Sequence, residues 1–385
     1  MSTSTSLPSG ARPAPIAVPD GVLDDLRSRL RSTRWPAPLP YEPWAAGADL
    51  DFVRELCAYW ADGYDWRQHE AWFNGFDPFL IEVDGLDLHV WKVAGRGENP
   101  IPLLLLHGWP GSVVEFRGVL EQLVTPDANG LSFDVVMPSL PGYGFGGKPS
   151  EPGWGVTRSA EAFNTLMTEK LGYAHYGVQG GDWGAVIGAK LASLHPESVL
   201  GFHSNMPLFG WQFDRKAFEK SAVGEDAIRL KRGADFAANE RGYSLLQATK
   251  PMSLAIAQSD SPAGLAAWII EKFQTWSDAD VSSFDRDELL TNIMFYWAAD
   301  SVGSAAALYY ESRRDAGGSG YPPIQVPVGL AAFPREIYPA SRRWIEERYT
   351  DIRQWTEMPS GGHFAAFEQP TLWLGDVRSF FQLLR

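Results

Sequence analysis

Between Val18 and Leu30 the apolar positions Val22, Leu23, Leu26 and Leu30 recur at helical spacing, with Asp20 placed as the N-cap. A second helix is expected in DLDFVRELCAYW, and proline- and tryptophan-rich turns surround both. Alternation then takes over in FLIEVDGLDLHVWKV, which reads as two strands joined at Asp84–Gly85. Residues 16–95 are therefore expected to form a meandering N-terminal arm. IPLLLL is apolar on both faces, as at the centre of a parallel sheet. FDVVMPSL, YAHYGVQ and VLGFHSNM follow as further strands with helical stretches among them. Strands alternating with helices predict an α/β fold with a mostly parallel central sheet. From residue 207 to 321 that rhythm breaks. SPAGLAAWIIEKFQTW and ELLTNIMFYWAADSVGSAAALYYES follow one another with no strand between, as in a helical cap inserted into a core of residues 96–206 and 322–385. The core resumes with IQVPVGLAAF and DIRQWTEMP.

Composition narrows the function classes. A formal net charge of −14 with no block of Lys and Arg excludes a nucleic-acid partner, because neutralising phosphates needs clustered cations. The single cysteine, Cys57, excludes an internal disulfide and a Cys-based metal site. Sixteen tryptophans suit an apolar cavity for a hydrophobic ligand. Residues 1–15 lack the apolar core of a signal peptide and read as a disordered tail, and no run reaches transmembrane length. A cytoplasmic protein without a membrane anchor is expected.

GVQGGDWGAV, residues 177–186, has the frame of a nucleophile elbow with Asp182 where a serine would ordinarily stand. Glycines on both sides permit a tight strand-to-helix turn that lifts one side chain above the sheet and aims backbone amides at it. An N-cap role for Asp182 is the alternative. In hydrolases of this design the chain order is nucleophile, acid, histidine. Glu336 follows the strand VPVGLAAF, with Asp315 and Asp300 as rivals, and His363 sits in the glycine-rich turn SGGHFAAF after the last strand. HGWPGS, at the end of a central strand, is suited to an oxyanion hole built from the Trp109 amide and the amide after the nucleophile, Trp183. His107 reads as structural.

Taken together, HGWPGS, GGDWG, FPRE and GGHFAAFE, in this order and with GLAAWIIEKFQTW in the cap, resemble the microsomal-type epoxide hydrolases of the α/β-hydrolase superfamily. The resemblance runs from about residue 14 to the end and includes the N-terminal arm. It points to the soluble bacterial branch, and the excess of Arg over Lys fits a high-GC actinobacterium, where some relatives serve enediyne antibiotic biosynthesis. It implies attack of Asp182 on an epoxide, an enzyme ester, and a vicinal diol formed with water alone and no cofactor. A carboxylate suits a saturated carbon, since a serine would leave an ether that activated water could not cleave.

The resemblance also implies two cap tyrosines that hydrogen-bond the epoxide oxygen, matching Tyr243 and Tyr310. Tyr309 and Tyr310 project about 100° apart on a helix, so at most one faces the pocket, and the family pattern selects Tyr310. The cap aromatics Trp268, Phe273, Trp276, Phe295, Tyr296 and Trp297 suggest a bulky aryl epoxide, although helical core packing accounts for most of them equally. A haloalkane dehalogenase shares the Asp nucleophile but needs halide-binding N–H donors in place of the tyrosines. A catalytically inactive ligand-binding relative would usually lack a triad member, and all three are present. No G-x-S-x-G follows a strand, which disfavours a serine esterase.

Overall fold

In the computed structural model the structure describes residues 7–208, 220, 222–315, 323–346 and 348–385. Among the described residues nine strands make one sheet: β1 Ala11–Pro13, β2 Phe79–Val83, β3 Leu86–Val93, β4 Ile101–Leu106, β5 Phe133–Pro138, β6 Tyr176–Gly180, β7 Val199–Ser204, β8 Val328–Ala332 and β9 Ile352–Glu357. Their order is β1-β2-β3-β5-β4-β6-β7-β8-β9. The first three strands and the β3–β5 pairing are antiparallel, and every pairing from β5 through β9 is parallel. This is the α/β-hydrolase arrangement that the alternating pattern predicts. Leu103, Leu104, Leu105 and Leu106 of β4 are fully buried, so the continuous apolar run has helices over both faces. Parallel strands all end on the same side, and the loops after β4, β6, β8 and β9 therefore meet at one edge of the sheet.

Two local expectations are corrected. Asp20 is not the N-cap; Pro19 takes that place, and Asp20 opens the helix Asp20–Arg31 with its carboxylate paired to Arg67. The stretch expected as a disordered tail contains β1, whose residues pair with Phe79–Ile81. Just beyond it, Ile16 and Val18 donate their amides to Asn74 Oδ1 and Glu70 Oε1, both at 2.7 Å. Residues 1–6 of that stretch lie outside the described residues.

Between β7 and β8 the described residues form six α-helices and no strand: Glu225–Asn239, Gly242–Thr249, Pro251–Asp260, Pro262–Trp276, Arg286–Trp297 and Val302–Ser312. Residues 209–219, 221 and 316–321 of the expected cap lie outside the described residues. The N-terminal arm packs directly on these helices. Tyr59 donates its hydroxyl to Asp287 at 2.7 Å, Tyr64 and Thr291 hydroxyls meet at 3.0 Å, and Arg29 bonds both the carboxylate and the carbonyl of Asp260.

Cys57 lies on the inner face of the arm helix Leu50–Asp62, and burial pushes its thiol up to about 12. Because the thiolate is the reactive form, Ellman's reagent is expected to titrate less than about 0.1 thiol per native chain, and the whole thiol after denaturation. Full titration of the native protein would contradict the buried placement. Among the described residues no helix is long and apolar enough to cross a membrane.

Candidate active site

Strand β6 ends at Gly180 and the helix Asp182–Leu194 begins two residues later. The change of direction forces Asp182 to φ 47°, a left-handed conformation that a non-glycine residue adopts only when its surroundings impose it. The neighbouring chain must come very close: a Cβ on Gly184 would fall 2.0 Å from the Leu106 carbonyl oxygen of β4. Likewise a Cβ on Gly108 would fall 2.2 Å from Asp182 Oδ1. These contacts explain the residue types of GGDWG and HGW. The side chain of Asp182 does not cap its helix; the N-cap is Gly181 and makes no side-chain bond.

The Trp109 amide donates to Asp182 Oδ1 at 2.8 Å. Trp183 occupies the first turn of the helix, where no intrahelical carbonyl accepts its amide. The loop after β4 is fixed by His107, whose Nε2 accepts from the Leu140 amide at 3.1 Å while Nδ1 donates to the Gly108 carbonyl at 3.0 Å. Burial lowers that imidazole to about 4, so it stays neutral, in keeping with a structural role.

On the other side, His363 Nε2 lies 3.3 Å from Asp182 Oδ2, and its Nδ1 lies 3.0 and 3.1 Å from the two oxygens of Glu336. The side chains of His363 and Glu336 are each only 2% exposed. The structure thus brings Asp182, His363 and Glu336 into one line. Of the rivals, Asp315 instead accepts the Thr157 amide at 2.7 Å, and Asp300 sits in the turn after the helix Arg286–Trp297. Burial pulls the His363 pKa down, but Glu336 and Asp182 outweigh it and hold the imidazole well above its ordinary value. The imidazole therefore holds a proton more tightly than a free histidine does.

Above Asp182 lies a cavity of about 850 Å³. Its lining is mainly apolar and includes Trp183, Phe236, Tyr243, Tyr309, Tyr338 and Trp344. Tyr243 stacks on Trp109 at 5.0 Å, and Tyr309 meets Trp183 edge-on at 4.8 Å. The rings of Tyr243 and Tyr309 meet edge-on at 5.9 Å. Burial raises both phenols well above their ordinary range, leaving them neutral donors.

This corrects the choice of Tyr310. On the helix Val302–Ser312 it is Tyr309 that is buried toward Asp182, whereas Tyr310 turns away under the Arg314 guanidinium, 3.3 Å from its ring centre. The 100° step was readable, but which side faced the cavity depends on how the helix rolls against its neighbours. Several of the cap aromatics follow the core-packing reading that the sequence left open. Phe273 stacks on Phe364 at 3.9 Å, Phe295 packs among Phe73, Trp91 and Phe145, and Tyr296 donates to the Gly111 carbonyl at 2.6 Å. They build the core beneath the cavity, while Phe236, Tyr338 and Trp344, unnoticed in the sequence, line it. Among the described residues no cluster of His, Cys, Asp and Glu is arranged to hold a metal ion.

Residues 11–116 match the family described as epoxide hydrolase N terminus, and residues 101–314 match the alpha/beta hydrolase fold. Juvenile hormone epoxide hydrolase 1 of Ctenocephalides felis is 35% identical over 393 residues, covering 95% of this chain and 84% of that protein. Epoxide hydrolase 1 of Oryctolagus cuniculus is 34% identical, covering 97% of this chain and 89% of that protein. The crystal structure of juvenile hormone epoxide hydrolase from Bombyx mori superposes with a TM-score of 0.91 at 32% identity, covering 97% of this chain and 95% of that one. With its elbow carboxylate, paired tyrosines, N-terminal arm and similarity along nearly the whole chain, this protein belongs to the microsomal-type epoxide hydrolases of the α/β-hydrolase fold.

Proposed function

We propose that this enzyme converts a hydrophobic, aryl-substituted epoxide to a vicinal diol through an ester on Asp182. The observation that carries the reading is the alignment of Asp182 between the Trp109 amide on one oxygen and His363 on the other. In the first step an Asp182 oxygen attacks an epoxide carbon from behind the C–O bond, which breaks as the new bond forms. Tyr243 and Tyr309, neutral and buried beside the nucleophile, hydrogen-bond the departing oxygen, and one of them supplies its proton.

The ester no longer carries the negative charge that helped to hold the His363 proton. The imidazole pKa falls, and the proton it sheds balances the one given up by the tyrosine. Neutral His363, oriented by Glu336, can then deprotonate a water that attacks the ester carbonyl. The resulting oxyanion has the Trp109 and Trp183 amides as donors. Collapse expels the diol oxygen, which takes the proton back from His363, and the Asp182 carboxylic acid left behind passes its own proton to His363 Nε2, replacing the one the imidazole shed earlier. Water and the side chains alone close the cycle. The aromatic lining of the cavity supports an aryl substituent.

A single turnover of excess enzyme with styrene oxide in ¹⁸O-water tests the route. Unlabelled diol with label in the peptide holding Asp182 is expected; labelled diol with unlabelled Asp182 would mean direct attack by water. The tyrosine assignment has its own check. Tyr309→Phe is expected to lower kcat/KM by about 10–100-fold, and Tyr310→Phe to stay within about twofold of wild type, as for a side chain away from the chemistry. The opposite ranking would return the role to Tyr310.

A further inference from the structure

The turn that presents His363 is held by groups that the proposed cycle does not use. Four successive amides, from Gly361 to Phe364, each have a partner. The Gly361 amide donates to Asp278 Oδ2 at 3.0 Å, and the His363 amide to the Trp276 carbonyl at 2.9 Å. Between and after them, Gly362 and Phe364 both donate to Glu368 Oε1, at 3.0 and 3.2 Å. The other Glu368 oxygen accepts the Asp278 amide at 2.8 Å. Asp278 also faces Arg335, the residue before Glu336, at 3.5 Å. Two carboxylates therefore tie both catalytic loops of the core to the exit of the cap helix Pro262–Trp276. Ring packing follows the same path, with Trp276 edge-on to His363 at 5.1 Å and tilted against Tyr243 at 4.9 Å.

The Glu368 carboxylate is an expensive way to hold a turn. Burial outweighs the three amides and the nearby His363 and leaves it raised to about 7. A fold that needed nothing but a closed turn could use a neutral side chain here, whereas an acceptor that grips the amides on both sides of one residue fixes that residue's backbone on both flanks.

We infer that Glu368, locked by Asp278, is a positioning residue that sets His363 for the hydrolysis of the ester, and that the cap helix thereby controls the second half of the cycle. The inference rests on the ester route proposed above. It separates the two halves because Asp182 keeps its seat at the end of β6 and the bond from the Trp109 amide even if His363 shifts, whereas water activation depends on His363 alone.

The test is rapid-quench single turnover of full-length Glu368→Gln with styrene oxide, following the mass of the Asp182 peptide and the diol together. Ester formation is expected within about twofold of wild type, and ester decay slowed by about 10–100-fold, less than the roughly 10²–10⁴-fold for loss of the general base itself. Under steady state kcat and KM are then expected to fall together. Should Glu368→Gln not fold, Asp278→Ala reaches the same turn from the cap side and is expected to slow decay selectively as well. Decay at the wild-type rate, or equal slowing of both steps, overturns the inference. If His363→Gln accumulates no ester, the ester route fails and takes this inference with it. Ester trapped by His363→Gln but decaying normally in Glu368→Gln overturns this inference alone.

Discussion

Replacing His363 by glutamine is expected to stop the enzyme halfway. Intact mass spectrometry should show one equivalent of epoxide added to each chain, located on the peptide containing Asp182, while turnover falls by about 10²–10⁴-fold. The reasoning follows from position. His363 Nε2 is 3.3 Å from the nucleophile and so within reach of a water on the ester carbonyl, but the carboxylate needs no base in order to attack. Glutamine keeps roughly the size of the imidazole and accepts no proton. The Trp109 amide and the tyrosine pair remain, so the alkylation half should proceed. Sustained turnover by this variant would remove His363 from the proposed role.

The second large effect is expected at Asp182 itself. Asp182→Ala should lose turnover by on the order of 10⁴-fold or more, as when a covalent nucleophile is deleted, and its mass should not change with epoxide. Fold loss is a separate outcome that near-ultraviolet circular dichroism distinguishes. The strained turn at φ 47° costs alanine about 1–2 kcal/mol, a burden the buried leucines of β4 and the close contact at Gly184 oppose. A folded Asp182→Ala that hydrolyses epoxide at a rate near wild type would mean that water attacks directly.

What could be read from the sequence follows a physical division. The elbow was legible because its requirements are local: a tight reversal between strand and helix demands glycines at fixed offsets, and Asp182 stood where they converge. The order of Asp182, Glu336 and His363 was legible because parallel strands deliver successive loops to one edge, so position in the chain becomes position in the site. Strand β1 escaped notice since three residues carry no period and their partners lie at Phe79–Ile81. Tyr309 lost out to Tyr310 because adjacent helical residues differ only by the helix's roll against its neighbours. Glu368 stood inside the quoted GGHFAAFE, yet its grip on the Gly362 and Phe364 amides depends on the short helix Ala365–Glu368 folding the chain back on itself.

The arm bears on how substrate reaches Asp182. Its helices are bonded to the cap through Tyr59, Tyr64 and Arg29, at points spread from Asp260 to Thr291. A lid fastened along its outer side does not swing as a rigid door, because each swing would break all those bonds at once. For protein engineering the practical unit is arm plus cap: grafting a relative's cap to change selectivity would transplant a part without its brace, and the two segments should be exchanged together.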